Sequence, residues 1–376
     1  MNQIKMVDLG AQHARIKDEL NEAISRVMQT TAFIKGPDVK QFESELAAYL
    51  DVAHVIGCAN GTDALQLALM ALELPAGSEV ITTDFTFVAT AEVVRLLGLV
   101  PVLVDIDPDT FNIDPKKLED AITSNTKAII PVHLFGQCAD MDAIMDIAKR
   151  YNLFVIEDTA QAIGTEYTFK DGTKKKSGTI GHIGCTSFFP SKNLGAAGDG
   201  GAVFTNDHHL AAKILSIANH GQGDQYYYEY IGVNSRLDTL QAAILRVKLR
   251  HLNTYNASRQ RAAAYYDEAL SSNPLLQVPK RNPSSTHTFH QYTLKVLDGR
   301  RSELEKYLND KGIPNKVYYP VPIHANKPYA DTCRYRIDQL ESTMTVSNQV
   351  ISLPMHTELT EEQLKHITDT VNAFGL

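Results

Sequence analysis

The stretch SFFPSKNLGAAGDGG, residues 187–201, places one lysine, Lys192, between an aromatic-rich strand candidate and four closely spaced glycines. Glycine lacks a Cβ atom and lets the backbone pass close to a neighbouring segment or to a ligand. A lysine in this setting is either a solvated turn residue or a nucleophile held close to the backbone. The sequence on both sides of the stretch has to decide between these two interpretations.

The region around this stretch, from about residue 38 to 220, alternates short β-branched runs with amphipathic segments of helix length. Such alternation predicts a mainly parallel sheet with helices on its faces. Runs such as HVIGCA (54–59) and LFVIED (153–158) are almost continuously apolar. This is typical of strands that are covered on both faces, and the predicted fold class is α/β.

A second, smaller domain is predicted toward the C-terminus. Residues 239–270 form one long helical pattern, and a segment rich in Pro and Ser follows at 271–285. We therefore predict a large domain over residues 1–250 and a small α/β domain over residues 251–376. The first 35 residues are expected to form an arm and a helix that fold back onto the body or onto a partner subunit.

Composition excludes several classes of protein. The 376-residue chain is 44% hydrophobic and 21% charged, as in an ordinary globular enzyme, and its net charge is −8. Because it lacks the basic face of a nucleic-acid-binding protein, we expect a small-molecule partner rather than DNA or RNA. No apolar run approaches the roughly 18 residues of a membrane span, and no signal peptide is visible. We predict a cytoplasmic protein without a membrane partner.

The cysteines and histidines show no metal-ligand spacing. Cys58, Cys138, Cys185 and Cys333 are widely separated and form no C-x-x-C pair, and none of the thirteen histidines belongs to an H-E-x-x-H motif. We expect neither a disulfide framework nor a bound metal.

Acidic and basic side chains follow neighbouring strands of the predicted sheet. Asp158 ends the buried run LFVIED, and Lys192 comes 34 residues later, after one further strand candidate. Ligands of open α/β sheets bind beyond the carboxyl ends of the strands, where both residues can meet. Asp158 alone could simply cap a turn, whereas the two residues together indicate either a buried ion pair or a pyridoxal phosphate site.

A pyridoxal phosphate site also needs a cradle for the phosphate. Gly61 and Thr62 lie between a strand and a helix, where free N–H groups and the helix dipole bind an anion. Ser187, five residues before Lys192, is a further phosphate donor. Glycine at such a turn also has a purely backbone explanation.

Six motifs now occur in a recognisable order: ANGTDALQLAL, TDFTFVATAEVV, VHLFGQCADMDAI, VIEDTAQAIG, SFFPSKNLGAAGDGGAVFTN and GVNSRLDTLQAAIL. Together they resemble the DegT/DnrJ/EryC1/StrS family of sugar aminotransferases, nearly from end to end. The resemblance implies pyridoxal 5'-phosphate as cofactor. It also implies the type I (aspartate aminotransferase) fold, with a mainly parallel seven-stranded sheet in the large domain.

The resemblance assigns roles to the cofactor-binding residues. Lys192 would be the Schiff-base lysine and Asp158 would pair with the ring nitrogen, while Gln161 would bind the ring hydroxyl. Phe87 would stack on the ring, with Phe85 as the alternative stacking residue and core packing as the alternative explanation for either.

Residues from a second subunit are implied as well. Asn234 matches an asparagine that reaches the phosphate of the neighbouring subunit's cofactor, which implies a homodimer with shared active sites.

The implied substrates are glutamate and a nucleotide-linked keto-sugar. The resemblance is greatest to enzymes that aminate C3 of UDP-2-acetamido-2-deoxy-3-oxo-glucuronate for surface polysaccharides such as the O-antigen of lipopolysaccharide. Arg236 would then bind the sugar carboxylate, or else form a structural ion pair with Asp238. Tyr319 and His324 match a loop that contacts the sugar or its diphosphate.

Other functions stay open at this point. A dTDP-3-keto-6-deoxyhexose aminotransferase fits the same motifs, whereas a sugar dehydratase of this fold would carry histidine in place of Lys192. An NAD-dependent oxidoreductase would need the motif G-x-G-x-x-G at the start of the first helix after a strand. In this chain that helix starts with Gly61, Thr62 and Asp63. A non-catalytic regulatory protein is the remaining alternative, because a fold does not fix a function.

Overall fold

The computed structural model describes residues 3–224 and 226–375. The helices are α1 (Leu9–Arg15), α2 (Lys17–Thr30), α3 (Pro37–Leu50), α4 (Gly61–Ala71), α5 (Ala89–Leu96), α6 (Pro115–Asp120), α7 (Met141–Tyr151), α8 (His208–Ile217), α9 (Thr239–Leu270), α10 (Arg301–Asp310), α11 (Lys327–Ala330), α12 (Glu341–Gln349) and α13 (Glu361–Asn372). The strands are β1 (His54–Cys58), β2 (Glu79–Thr83), β3 (Val100–Val104), β4 (Thr126–Ile130), β5 (Phe154–Asp158), β6 (Glu166–Thr168), β7 (Lys174–Lys176), β8 (Ile183–Ser187), β9 (Gly201–Thr205), β10 (Leu276–Gln277), β11 (Tyr292–Val296) and β12 (Val350–Leu353).

The central sheet has seven strands in the order β1-β9-β8-β5-β4-β2-β3. The pairs from β8 to β3 are parallel, and β9 runs antiparallel to both β8 and β1. A parallel return needs a long crossover, usually a helix, and the segment between β8 and β9 contains none. That segment contains Lys192. The seven-stranded sheet is mainly parallel, which confirms the predicted α/β fold.

Helices cover both faces of this sheet. On one face α4 packs against β8, β9, α5 and α8, and on the other face α3 and α9 pack against each other, with α3 also contacting β1. The apolar layer on the first face contains Leu65, Leu67 and Ile214, and the layer on the other face contains Phe42, Phe188 and Leu245. Two covered faces explain why the strands are apolar along their whole length.

A second core lies around the three-stranded antiparallel sheet β10-β11-β12. It joins these strands to α10, α13 and the C-terminal part of α9. The predicted boundary at residue 250 falls inside α9, a 32-residue helix. Leu252 belongs to the core beside the large sheet and Ala262 to the second core, so the same helix supplies both. The division into domains 1–250 and 251–376 stays a prediction.

The N-terminal segment folds back onto the body of its own chain. Helix α2 packs against α9, burying Leu20 and Val27 against Ala243 and Val247. Among the described residues, no helix is both long enough and apolar enough to cross a membrane.

Candidate active site

A cavity of about 610 Å³ lies beyond the carboxyl ends of the central strands. Eight of the predicted site residues line it: Gly61, Thr62, Phe87, Asp158, Gln161, Ser187, Lys192 and Tyr319. They come from five separate segments of the chain. A larger surface groove of about 870 Å³ over α8 contains none of them.

Lys192 sits in a closed loop that leaves β8. Its backbone N–H donates to the carbonyl of Phe189 (2.8 Å), and the N–H of Ala196 donates back to the carbonyl of Phe188 (2.7 Å). A Cβ atom on Gly195 would lie 2.2 Å from the carbonyl oxygen of Pro190. Glycine is therefore required for the loop to close, which answers why a lysine is followed by glycines here.

Two side chains of helix α9 form hydrogen bonds with the same loop. The ammonium of Lys248, which is 1% exposed, donates to the carbonyl of Gly195 (2.6 Å). Two turns further along the helix, Asn256 accepts a hydrogen bond from the side chain of Asn193 (2.8 Å). Two buried contacts from one helix thus fix the part of the loop that directly follows Lys192.

The electrostatics of the pair Lys192 and Asp158 follow from burial. Burial lowers the pKa of Lys192 to about 8, and the nearby negative charge of Asp158 opposes this shift. Burial likewise raises the pKa of Asp158, although Thr90 Oγ1 and the N–H of Ala160 donate to its carboxylate, each at 3.1 Å. Near neutral pH a minor fraction of Lys192, but far more than of an exposed lysine, is therefore the free amine that proton transfer requires.

Glu157 points to the opposite side of β5 from Asp158. Its carboxylate is fully buried, receives N–H donors from Gly178, Ile180 and Gly181, and lies 2.7 Å from His133 Nε2. Burial alone would raise the pKa of Glu157, but the contact with His133 and the N–H donors of Gly181 and Gly178 hold it below its ordinary value. Only Asp158 of the two adjacent acids reaches the cavity.

The phosphate cradle predicted from the sequence fits an anion. Helix α4 begins at Gly61, and the Asn60 side chain accepts the N–H of Asp63 (2.8 Å). The N–H groups of Gly61 and Thr62 have no carbonyl partner within the helix, because a first turn has none. A Cβ atom on Gly61 would lie 2.6 Å from Ser187 Cβ. The missing Cβ thus brings a helix N-terminus and a hydroxyl together, an arrangement that binds phosphate.

The structure separates the two phenylalanines. Phe87 lines the cavity with 56% of its surface exposed, whereas Phe85 is 1% exposed and packs against Phe111 and Phe135. Phe85, the alternative stacking residue, is thus a core residue. A flat ring in the cavity would find its aromatic neighbour in Phe87.

Gln161 and Tyr319 are hydrogen-bonded to each other at the wall of the cavity. Gln161 Nε2 donates to the Tyr319 hydroxyl (3.1 Å), while its Oε1 accepts the N–H of Phe135 (2.9 Å). The backbone contact orients the carboxamide, so the Gln161–Tyr319 pair is fixed at the cavity wall.

Three predicted residues do not line the cavity. Asn234 is exposed, and Arg236 donates to the side-chain oxygen of Asn219 (3.0 Å) without an ion pair to Asp238 within the described ranges. His324 is buried, its Nδ1 lying 2.5 Å from a carboxylate oxygen of Asp84. Asp84 orients the His324 ring through Nδ1, and contact of His324 with a sugar stays a prediction.

The sequence reasoning missed several cavity residues. Thr90, His290, Gln291 and Tyr318 either line the cavity or bond to Asp158. His290 and Gln291 follow α9 and enter the site from the second core, so no spacing to the Lys192 stretch could reveal them. An available signal was the cluster of polar and aromatic residues in HTFHQY, residues 287–292.

Comparison with known proteins agrees with this geometry. The sequence profile of the DegT/DnrJ/EryC1/StrS aminotransferase family matches residues 14–372. The UDP-2-acetamido-2-deoxy-3-oxo-D-glucuronate aminotransferase of Pseudomonas aeruginosa is 47% identical over 97% of this chain and 98% of its own. A protein of Geobacillus stearothermophilus named pleiotropic regulatory protein is 46% identical over 99% and 98% of the two chains.

Enzymes named for other sugars are also similar. A dTDP-3-amino-3,4,6-trideoxy-alpha-D-glucose transaminase of Streptomyces venezuelae is 37% identical over 99% of this chain and 96% of its own. The crystal structure of S. venezuelae DesV in complex with a ketimine intermediate superposes with a TM-score of 0.94 at 37% identity, covering 99% and 98% of the chains. The chain belongs to the DegT/DnrJ/EryC1/StrS aminotransferase family and is a pyridoxal-phosphate-dependent sugar aminotransferase.

Proposed function

We propose that this enzyme transfers the amino group of glutamate to C3 of UDP-2-acetamido-2-deoxy-3-oxo-glucuronate for the synthesis of a surface polysaccharide such as O-antigen. The similarity to the Pseudomonas aeruginosa enzyme named for this sugar supports the substrate. The observation that carries the reaction is the cavity in which Lys192 and Asp158 meet beside an anion-binding helix N-terminus. Action in the cytoplasm stays a prediction.

The residues divide into groups that hold the cofactor and a group that moves protons. Gly61, Thr62 and Ser187 would bind the phosphate, and Phe87 would lie against the ring. The bound cofactor supplies an electron sink for negative charge at the reacting carbon. Lys192, as a free amine, takes a proton from the donor carbon and returns it at a second position.

Two further residues would orient the ring. The carboxylate of Asp158 stays negative beside a protonated ring nitrogen, because an opposite charge favours the ionised form. Thr90 and the N–H of Ala160 fix the direction of this carboxylate. Gln161 would bind the ring hydroxyl, and the N–H of Phe135 sets the orientation of its carboxamide.

The charge of the cavity supports a homodimer. A nucleotide sugar uronate carries a diphosphate and a carboxylate, yet Lys192 is the one Lys or Arg among the described residues that line the cavity. Asp158 and Asp199 line it as well and add negative charge. Binding an anion here requires cations from elsewhere, and the partly buried Arg236 and the exposed Asn234 of a second subunit would supply cationic and polar groups.

A second candidate is a dTDP-3-keto-6-deoxyhexose aminotransferase. The similarity to the Streptomyces venezuelae transaminase favours it. The two substrates differ in the sugar carboxylate, so a cation that binds it discriminates between them. Arg236 would bind the carboxylate of the uronate, and it would make no such contact with the 6-deoxy sugar.

Single-turnover measurements test the reaction. Purified enzyme with bound cofactor should convert one equivalent of glutamate into 2-oxoglutarate and then aminate the 3-oxo-glucuronate, detected by mass spectrometry. Lys192→Ala should fail in both steps because each needs the proton carrier. Wild-type enzyme that produces no 2-oxoglutarate would contradict glutamate as donor.

The substrate itself is tested with an arginine variant and a matched control. Arg236→Gln should raise KM for the uronate at least tenfold and leave KM for a 6-deoxy-keto-sugar unchanged. Arg250→Gln removes an exposed arginine that pairs with Glu19 outside the cavity, and it should change neither value. Faster turnover of the 6-deoxy sugar by wild-type enzyme would favour the second candidate.

A further inference from the structure

One wall of the cavity is neutral and polar. It consists of His290, Gln291, Tyr318 and Tyr319, all of which line the cavity. All four follow α9 in the chain, whereas Gly61, Phe87, Asp158, Gln161, Ser187 and Lys192 precede it. The wall carries donors and acceptors but no carboxylate and no lysine or arginine.

His290 has a ring nitrogen without a partner. The residue is 7% exposed, and its Nδ1 is buried and has no hydrogen-bond partner in the part of the chain that the structure describes. The amide nitrogen of Gln291 lies 3.5 Å from Nε2. Because an amide nitrogen can only donate, this orientation of the Gln291 amide assigns the role of acceptor to Nε2 and the imidazole proton to Nδ1. The ring therefore offers an N–H that no protein group receives.

His290 is also held uncharged. Burial and the positive charges of Lys192 and Arg259 lower its pKa well below the ordinary value. The imidazole consequently stays neutral near pH 7, and it contributes a hydrogen bond rather than a charge. A neutral donor suits a hydroxyl, carbonyl or ring oxygen of a sugar, whereas a dicarboxylate such as glutamate calls for cations.

The backbone around His290 is held by contacts from distant parts of the chain. Phe289 adopts a left-handed φ of 48°, which is uncommon for a residue with a side chain. Arg259 donates to the carbonyls of Phe289 (3.1 Å) and His290 (3.3 Å), and the N–H of Thr288 donates to the carbonyl of Gly136 (2.8 Å). A strained conformation persists where its surroundings determine it, typically at functional sites.

We propose that His290 is a binding residue for the sugar acceptor and donates its imidazole N–H to an oxygen of the sugar. The inference rests on the proposed function, because it assigns the wall to the second substrate of a sugar aminotransferase. His290 acts in the half-reaction that aminates the keto-sugar and takes no part in the half-reaction with glutamate. Gln291 sets the position of the proton on the ring.

The two half-reactions separate this role from an effect on Lys192. Both halves need Lys192, but only the second contains the sugar. In His290→Phe we expect the rate of the glutamate half to stay within twofold of wild type. KM for the keto-sugar should rise at least tenfold with a smaller change in kcat.

Two polar variants identify the nitrogen. The amide of asparagine occupies roughly the position of Nδ1 and the amide of glutamine that of Nε2. His290→Asn should recover most of the lost sugar affinity and His290→Gln should not. The control is His356→Phe, because His356 is also buried with an unpartnered ring nitrogen but does not line the cavity. It should leave KM for the sugar unchanged.

Several results would overturn the inference. Equal slowing of both half-reactions in His290→Phe would assign the residue to Lys192 or to the cofactor. An unchanged KM for the sugar, or full recovery by glutamine alone, would exclude the Nδ1 contact. If wild-type enzyme aminates no keto-sugar, the proposed function is refuted, and this result is obtained without any His290 variant.

Discussion

Gly61→Ala tests whether the start of α4 and Ser187 form the phosphate cradle. The added Cβ would lie 2.6 Å from Ser187 Cβ, and both of its other near neighbours also belong to Ser187, at 3.2 Å. Carbon atoms prefer separations of about 3.5–4.0 Å, so α4 or β8 must move by about 1 Å. Overpacking of this kind costs about 1–3 kcal/mol.

The cost should appear mainly as weaker cofactor binding, because separating α4 from Ser187 widens the site that holds the phosphate. Since about 1.4 kcal/mol corresponds to a factor of ten, we expect Kd for pyridoxal phosphate to rise about 10- to 100-fold. The assay is a titration of cofactor-free enzyme followed by visible absorbance, with thermal unfolding of the same sample to detect a loss of stability.

A second glycine variant controls for general effects of alanine. A Cβ on Gly10 in α1 would meet only Asp8 Oδ1, at 3.6 Å, which is ordinary contact. Gly10→Ala should therefore bind the cofactor like wild type. If Gly61→Ala shows the wild-type Kd and the wild-type Tm, the close packing of Gly61 on Ser187 does not shape the site and the reasoning fails.

Three further predictions concern other parts of the site. Phe87→Ala should weaken cofactor binding with little loss of stability, whereas Phe85→Ala should cost about 3–5 kcal/mol of unfolding free energy in denaturant titrations because it empties a core position. The folded-state pKa of Glu157 is lowered, so its stabilisation is present above the ordinary value of 4.5 and is lost as the pH falls through the folded-state value. Glu157→Gln should remove this acid-dependent part of the unfolding free energy, and an unchanged pH profile would contradict the burial of an ionised carboxylate. Burial lowers the pKa of Lys248 to about 8, so the unfolded chain binds the extra proton between about 8 and the ordinary value of 10.5. Stability should rise with pH across that window, and Lys248→Met should abolish the part of the rise that is due to this residue.

The cofactor side of the cavity was predictable because its residues leave strands at one edge of a parallel sheet. Asp158 ends β5, Ser187 ends β8, and Gly61 starts the helix after β1. Each position follows from a local pattern of apolar strand and turn, and parallel strands bring their carboxyl ends together. The positions of these motifs at strand ends therefore predict that their residues meet in one cavity.

The sugar side was less predictable because its geometry depends on contacts between distant segments. His290 reaches the cavity only because Arg259 and Gly136 hold a left-handed backbone at Phe289. His324 is turned toward Asp84, 240 residues earlier in the chain, and that pairing has no local signature. Burial at such sites is decided by tertiary packing rather than by the composition of the segment.

Helix α9 has a consequence for folding cooperativity. It runs without interruption over 32 residues, giving Leu245 and Leu252 to the core beside the large sheet and Ala262 and Tyr266 to the second core. Melting either core strips one half of the helix of its apolar partners, and a helix in water gains most of its stability from such packing. The two cores are therefore coupled through a shared rigid element, and heat or denaturant should unfold the chain as one unit rather than in two independent steps.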